Sequence, residues 1–225
     1  MLLRALLLTC FVILGSGDTT LSATVLYSQP WDGLNNAFNS QDFGSGNATS
    51  VFDNFVLASG GSISGISWWG LYSCNPPSSC SPPSSNTITD FTVAIYGDAG
   101  GTPGSVLQSW SVLGNAGETP VASVDGYEVY LYSASVNFVA APGTQYWLLI
   151  RADLLWPPSW GWMEGSGGDS ISYVDSYGTW SENPNDLAFM LESTPEPFTL
   201  CFLGIGLSAL ALWRRRHAPE PVAPH

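Results

Sequence analysis

Between Thr24 and Thr194 the chain holds fifteen carboxylates, one arginine, two cysteines and nine tryptophans, but no histidine and no lysine. His217 and His225 both lie near the C-terminus. A Ser-His-Asp triad, a Cys-His pair, a histidine-ligated metal and a lysine Schiff base are therefore closed to this stretch. What remains for catalysis is a carboxylate pair of the glycosidase kind, which needs two acids about 5–10 Å apart across a cleft. Asp153 and Glu164 are candidates, although fifteen acids make chance pairs common.

For binding, Trp68, Trp69, Trp156, Trp160 and Trp162 offer flat faces for sugar rings. Alternation along a strand puts Trp68 and Trp69 on opposite sides and Trp160 and Trp162 on one side. The competing reading has these indoles filling a core. The turns Asp98-Ala-Gly-Gly101 and Gly167-Gly-Asp169 carry oxygen donors suited to calcium, although neither has the spacing of a calcium loop. No other cofactor is indicated. Cys74 and Cys80, around a Pro/Ser loop, are expected to form a disulfide, since two thiols without histidine make an incomplete zinc shell. Arg151, the lone cation, is expected to form a structural ion pair.

These groups need elements to carry them, and the chain's ends say where those elements work. Pro195-Glu196-Pro197 is followed by sixteen uncharged residues, Phe198 to Trp213, and then by Arg214-Arg215-Arg216. As a helix this run reaches about 24 Å, short of a ~30 Å hydrocarbon core. It spans if Trp213 rests at the interface and the arginines snorkel outward. The positive-inside bias then holds residues 217–225 in the cytoplasm as a tail. At the other end, Arg4 and the apolar Leu6–Leu14 precede Leu21-Ser22-Ala23, the pattern of a cleaved signal peptide over residues 1–23. Export through the Sec machinery follows.

Pro-Glu-Pro, a short Gly-containing apolar run and an arginine cluster, in that order, resemble the PEP-CTERM sorting signal. The resemblance covers residues 195–216 and implies that exosortase, a membrane transpeptidase-like enzyme, cuts near Pro195-Glu196-Pro197. It further implies a transient stay in the bacterial inner membrane and release to the cell surface or extracellular matrix. Residues 217–225 depart from it, since such signals usually stop soon after the basic cluster.

The body, residues 24–194, is long enough for one domain with a sizeable core. With a formal charge of −14 it repels polyanions, which excludes nucleic acid as a partner. Asp90–Tyr96 alternates, with Phe91, Val93 and Ile95 on one side. Val106–Val112, Tyr127–Tyr132 and Gln145–Ala152 behave likewise. With Thr24–Ser28, Val51–Leu57, Ile63–Tyr72, Val136–Val139, Trp160–Met163, Ile171–Val174 and Leu187–Leu191, about ten strands and no amphipathic helix predict an all-β, antiparallel sandwich or jelly roll. Phe52-Asp53-Asn54-Phe55, Ile66-Ser67-Trp68-Trp69-Gly70, Phe91–Tyr96, Tyr146-Trp147-Leu148 and Trp160-Gly161-Trp162 also resemble, more loosely, jelly-roll ectodomains of surface proteins with this sorting tail. That likeness implies a structural or adhesive role in a matrix or biofilm. The alternative is a glycan-binding module that takes exopolysaccharide.

Overall fold

A computed structural model describes residues 23–44, 47–74 and 88–194. Thr24–Ser193 forms one compact unit. Its strands are β1 (Thr24–Gln29), β2 (Ala37–Asn39), β3 (Gln41–Asp42), β4 (Ala48–Val56), β5 (Gly61–Ser73), β6 (Asp90–Asp98) and β7 (Pro103–Leu113). They continue with β8 (Thr119–Val124), β9 (Tyr127–Ala140), β10 (Gln145–Asp153), β11 (Ser159–Met163), β12 (Ser172–Ser176), β13 (Thr179–Asn183) and β14 (Phe189–Ser193). The unit is all-β, built of two sheets that include a curled half-barrel.

The first sheet is organised by β5. One edge of β5 pairs with β9, which in turn pairs with β8. Its other edge is shared by two short strands. β14 takes Gly65–Trp68 and β11 takes Gly70–Ser73. β1 lies outside β14 and β2 outside β11. The second sheet runs β13-β12-β4-β10-β6-β7, with β3 wedged between the diverging ends of β4 and β10.

The facing sides share one core. Phe55, Phe91, Val93, Ile95, Leu148 and Ile150 come from the second sheet; Ile66, Trp68, Tyr132, Trp160, Trp162 and Phe189 come from the first. Each of these side chains stabilises the fold by about 1.5–3 kcal/mol when fully buried. Aromatic edges and faces interlock there: Trp68 stacks on Tyr132 at 5.8 Å, and Phe91 meets Trp160 edge-on at 5.2 Å.

A polar corner ties the sheets together. Ser40 stands between β2 of one sheet and β3 of the other. Its hydroxyl donates to the Ile150 carbonyl at 2.5 Å and accepts from the Val51 amide at 3.1 Å. The buried Gln41 amide donates to the Leu154 carbonyl at 2.8 Å and accepts from the Trp160 amide at 2.7 Å. Buried polar groups are tolerated because every one of these contacts is made.

The expected strands are present, with one merger and four additions. Tyr127–Tyr132 and Val136–Val139 are one strand, because Ser133–Ser135 keeps pairing with β5. β2, β3, β8 and β13 are additional. Asp125 and Gly126 have φ values of 50° and 85°, forming the two-residue hairpin turn that creates β8. Tyr177-Gly178 does the same for β13. The signal-peptide residues, Cys80, Pro195-Glu196-Pro197, the 198–213 run and Arg214–Arg216 lie outside the described residues. Among the described residues, no helix is long and apolar enough to cross a membrane.

Candidate functional site

The outward face of the first sheet carries its own small apolar cluster. Leu71, Val129, Met163 and Ala188 are buried in it, and Trp31, Ala37, Trp69 and Tyr127 pack against them. At one end of this cluster the wall falls away into a groove of about 400 Å³. Strand register builds it. Asn39 of β2 lies opposite Gly161 of β11, which lies opposite Leu71 of β5. One pleat along, Ser159 lies opposite Ser73. Tyr127, at the start of β9, and Asn35, just before β2, close the sides.

Gly161 keeps the floor open, since a Cβ there would come within 2.9 Å of the Ala37 Cβ. The Asp125 carboxylate of the β8–β9 turn accepts from the Asn35 amide at 2.6 Å and so orients it. The Tyr127 hydroxyl donates to the Cys74 carbonyl at 3.3 Å. The side chains of Asn39, Ser73 and Ser159 make no hydrogen bond among the described residues, so their donors and acceptors are directed to solvent. None of the nine lining residues carries a formal charge. Sequence reasoning did not find these groups. Isolated asparagines and serines in Gly/Ser-rich surroundings look like loop, and only the register of four strands gathers them.

Of the tryptophans singled out as sugar platforms, Trp160 is among the residues bordering the groove, but its indole does not face it. Trp68, Trp160 and Trp162 each have 0% exposure, which corrects that assignment: they face the inter-sheet core. Trp160 donates through Nε1 to the Tyr132 hydroxyl at 3.2 Å, and Trp162 to the Ala188 carbonyl at 2.9 Å. Trp69 faces outward as alternation required, half-buried in the small cluster. Among the described residues Trp156 and Trp180 are exposed, one in the β10–β11 loop and one on β13.

Asp98 and Asp169, the two acids considered for calcium, are each engaged by neighbouring donors. Asp98 accepts from the Gly100 and Gly101 amides, from Gln145 and from Trp147 Nε1 at 3.0 Å, and the Trp147 bond above all holds its carboxyl below the usual range. Asp169 accepts from the Asn54 side chain at 3.0 Å and from the Ile171 amide at 3.1 Å. Among the described residues no group of three or more Asp, Glu, Cys or His is placed to hold a metal ion.

Asp153 and Glu164 belong to different sheets, and neither lines the groove. Asp153 is aligned with Asp42 and Asp90 on neighbouring strands; burial and these two charges raise its pKa. Arg151 meets the expectation of a structural ion pair, with Nη2 3.8 Å from Asp42 and Nη1 donating to Ser50 at 3.1 Å.

A second polar cluster is buried between the sheets. Asp53 accepts from the Leu187 amide at 2.5 Å and from the Asn54 amide at 2.7 Å. The Gln29 side chain fits with its nitrogen donating to Asp53 and to the Leu187 carbonyl, and its oxygen accepting from the Tyr27 hydroxyl. Burial, reinforced by Asp186 and Asp169, raises the Asp53 carboxyl well above its ordinary range despite the two amides.

A family model described as Domain of unknown function (DUF7901) matches residues 25–201. No curated protein matches the chain.

Proposed function

The chain belongs to the DUF7901 family, and from that premise we propose that it is an exported surface protein with a structural or adhesive role. Its body is a β-sandwich of the jelly-roll type, delivered by a PEP-CTERM signal and trimmed by exosortase. The observation that carries this reading is the boundary of the folded unit. It closes at Ser193, two residues ahead of Pro195-Glu196-Pro197. A cut there removes the apolar run and leaves every strand in place.

Two further facts support it. The family match spans residues 25–201, a stretch that includes both the folded unit and Pro195-Glu196-Pro197. Thr24 and Ser193 are paired residues on adjacent strands, so both processed ends would leave from one edge of the first sheet. The Cys74–Cys80 bridge belongs to the same export reading, and Cys74 is not a free thiol. The near-absence of basic residues suits a surface that meets neutral matrix material rather than nucleic acid.

Fractionation of the native host with mass spectrometry of the mature ends tests the proposal. The expected product begins near Thr24, ends near Pro195-Glu196-Pro197 and is found at the surface or in the medium. Replacing Arg214, Arg215 and Arg216 by alanine is expected to block its release. Soluble cytoplasmic chain that still carries both ends would overturn the reading.

A further inference from the structure

The sorting reading makes no use of the groove on the outer face of the first sheet, and we propose that it is a binding site for an uncharged saccharide. The inference goes beyond the sorting reading and stands on the groove's geometry alone. At about 400 Å³ the space lies within the range of small-molecule sites. Its chemistry is selective in an unexpected direction. The chain carries eighteen acids, yet no carboxylate lines the groove, and the Asp125 carboxylate beside it is engaged by the Asn35 amide. Among the described residues no cluster of acids faces a cation there. No arginine or lysine lines it either, and the acidic body repels anions. A neutral ligand is what is left.

The lining groups also specify the kind of neutral ligand. The Asn35 and Asn39 amides and the Ser73 and Ser159 hydroxyls each present a donor and an acceptor, and the Tyr127 hydroxyl, whose proton goes to the Cys74 carbonyl, presents an acceptor. Such a set matches a ligand whose hydroxyls do both, and it has no use for a purely apolar molecule. Between these groups lie Ala37 and the open floor at Gly161, apolar surface against which the C–H face of a sugar ring can rest. The groups are held before any ligand arrives. Asn39, Ser159, Ser73 and Tyr127 stand on four adjacent strands, and Asn35 is pinned by Asp125. Binding therefore orders side-chain rotamers on a backbone that is already fixed, which limits the entropy lost.

The test uses the full-length chain in a detergent without a sugar headgroup. Isothermal titration is run with neutral gluco-, galacto- and manno-configured oligosaccharides and with oligogalacturonate of equal length. At least one neutral series is expected to bind and the uronate to bind more than tenfold weaker. Asn39→Ala combined with Ser159→Ala is expected to lower affinity about tenfold, a few-fold for each lost hydrogen bond. Ser73→Phe, which fills the groove, is expected to abolish binding, with an unchanged circular dichroism spectrum showing that the fold persists. Trp156→Ala and Trp180→Ala are expected to bind as the parent does. The inference is overturned if no neutral oligosaccharide binds, if uronate binds as tightly, or if the tryptophan variants lose binding while the groove variants keep it. None of these results depends on how the chain is sorted, so failure here leaves the export reading intact.

Discussion

At the scale of single residues, two positions show how closely the core is specified. Gly70 faces inward on β5, and a Cβ there would lie 2.4 Å from Cζ2 of Trp160. The indole of one strand occupies the space that a side chain on its neighbour would need. Gly70→Ala is therefore expected to destabilise the protein by about 1–3 kcal/mol, the usual cost of overpacking, read as a lower urea midpoint at unchanged m. Asp53 makes a prediction of opposite character, because its effect depends on pH. Its folded pKa is raised above the ordinary carboxylate value of 3.8. Between the two values the folded state binds more protons than the unfolded chain. Its contribution is thus complete below about pH 4 and is lost as pH rises through the raised value. Asp53→Asn is expected to flatten the fall in stability between pH 4 and neutrality, measured by urea unfolding at several pH values. A variant that keeps the parent's slope would contradict the assignment.

Among the elements, the crossing at Ser40 and Gln41 has the largest consequence for its size. Gln41→Ala would leave the Trp160 amide and the Leu154 carbonyl without partners inside the protein. At about 1–3 kcal/mol for each orphaned group, a loss of roughly 2–5 kcal/mol is expected by chemical denaturation. Gln41→Glu, which keeps one acceptor, is expected to retain the Trp160 contact but to add the cost of a buried charge. This crossing also shows what was legible beforehand. The alternating run Asp90–Tyr96 declared itself, because burial of one face imposes a period of two, whereas Gln145–Ala152 was legible as a continuous apolar run, since β10 is buried on both faces. β2 and β3, of three and two residues, are too short to show any period. Their positions are set by side-chain bonds to residues more than a hundred positions away. β8 could have been found, since Asp125-Gly126 is a strong hairpin signal; its mixed TPVASV sequence concealed it. The tryptophans stood between two readings, ligand platform and core, for a related reason. Residue type gives a flat face, but only the sheet partner decides whether that face meets water or Phe91.

For the molecule as a whole, charge is the property that least resembles an ordinary globular protein. The chain has a formal charge of −13, and among the described residues the Arg151–Asp42 contact is the ion pair that offsets it. That contact is partly exposed and contributes little. Repulsion among the remaining carboxylates must therefore weigh on the folded state more than on the expanded chain. Salt screens it, since the Debye length falls from about 30 Å at 0.01 M to about 10 Å at 0.1 M. Lowering the pH toward the carboxylate range removes it. Asp53 acts in the same sense, because its raised pKa favours the folded state at lower pH. Asp98 acts in the opposite sense, since its pKa is lowered and the stability it adds is lost as pH falls. It is exposed, and solvent screening leaves it a small term. The sum predicts that Tm at pH 8 rises as NaCl is increased from about 0.01 M to about 0.5 M. It also predicts that Tm rises from pH 8 to pH 5 at low salt, and that the salt effect shrinks at pH 5. Thermal unfolding followed by circular dichroism checks all three. A Tm at pH 8 that ignores salt would mean that the acids are too far apart to interact, and the pH dependence would then have to come from the two carboxyls that burial raises, Asp53 and Asp153. In that case Asp53→Asn combined with Asp153→Asn would abolish it, whereas under general repulsion most of it survives both substitutions.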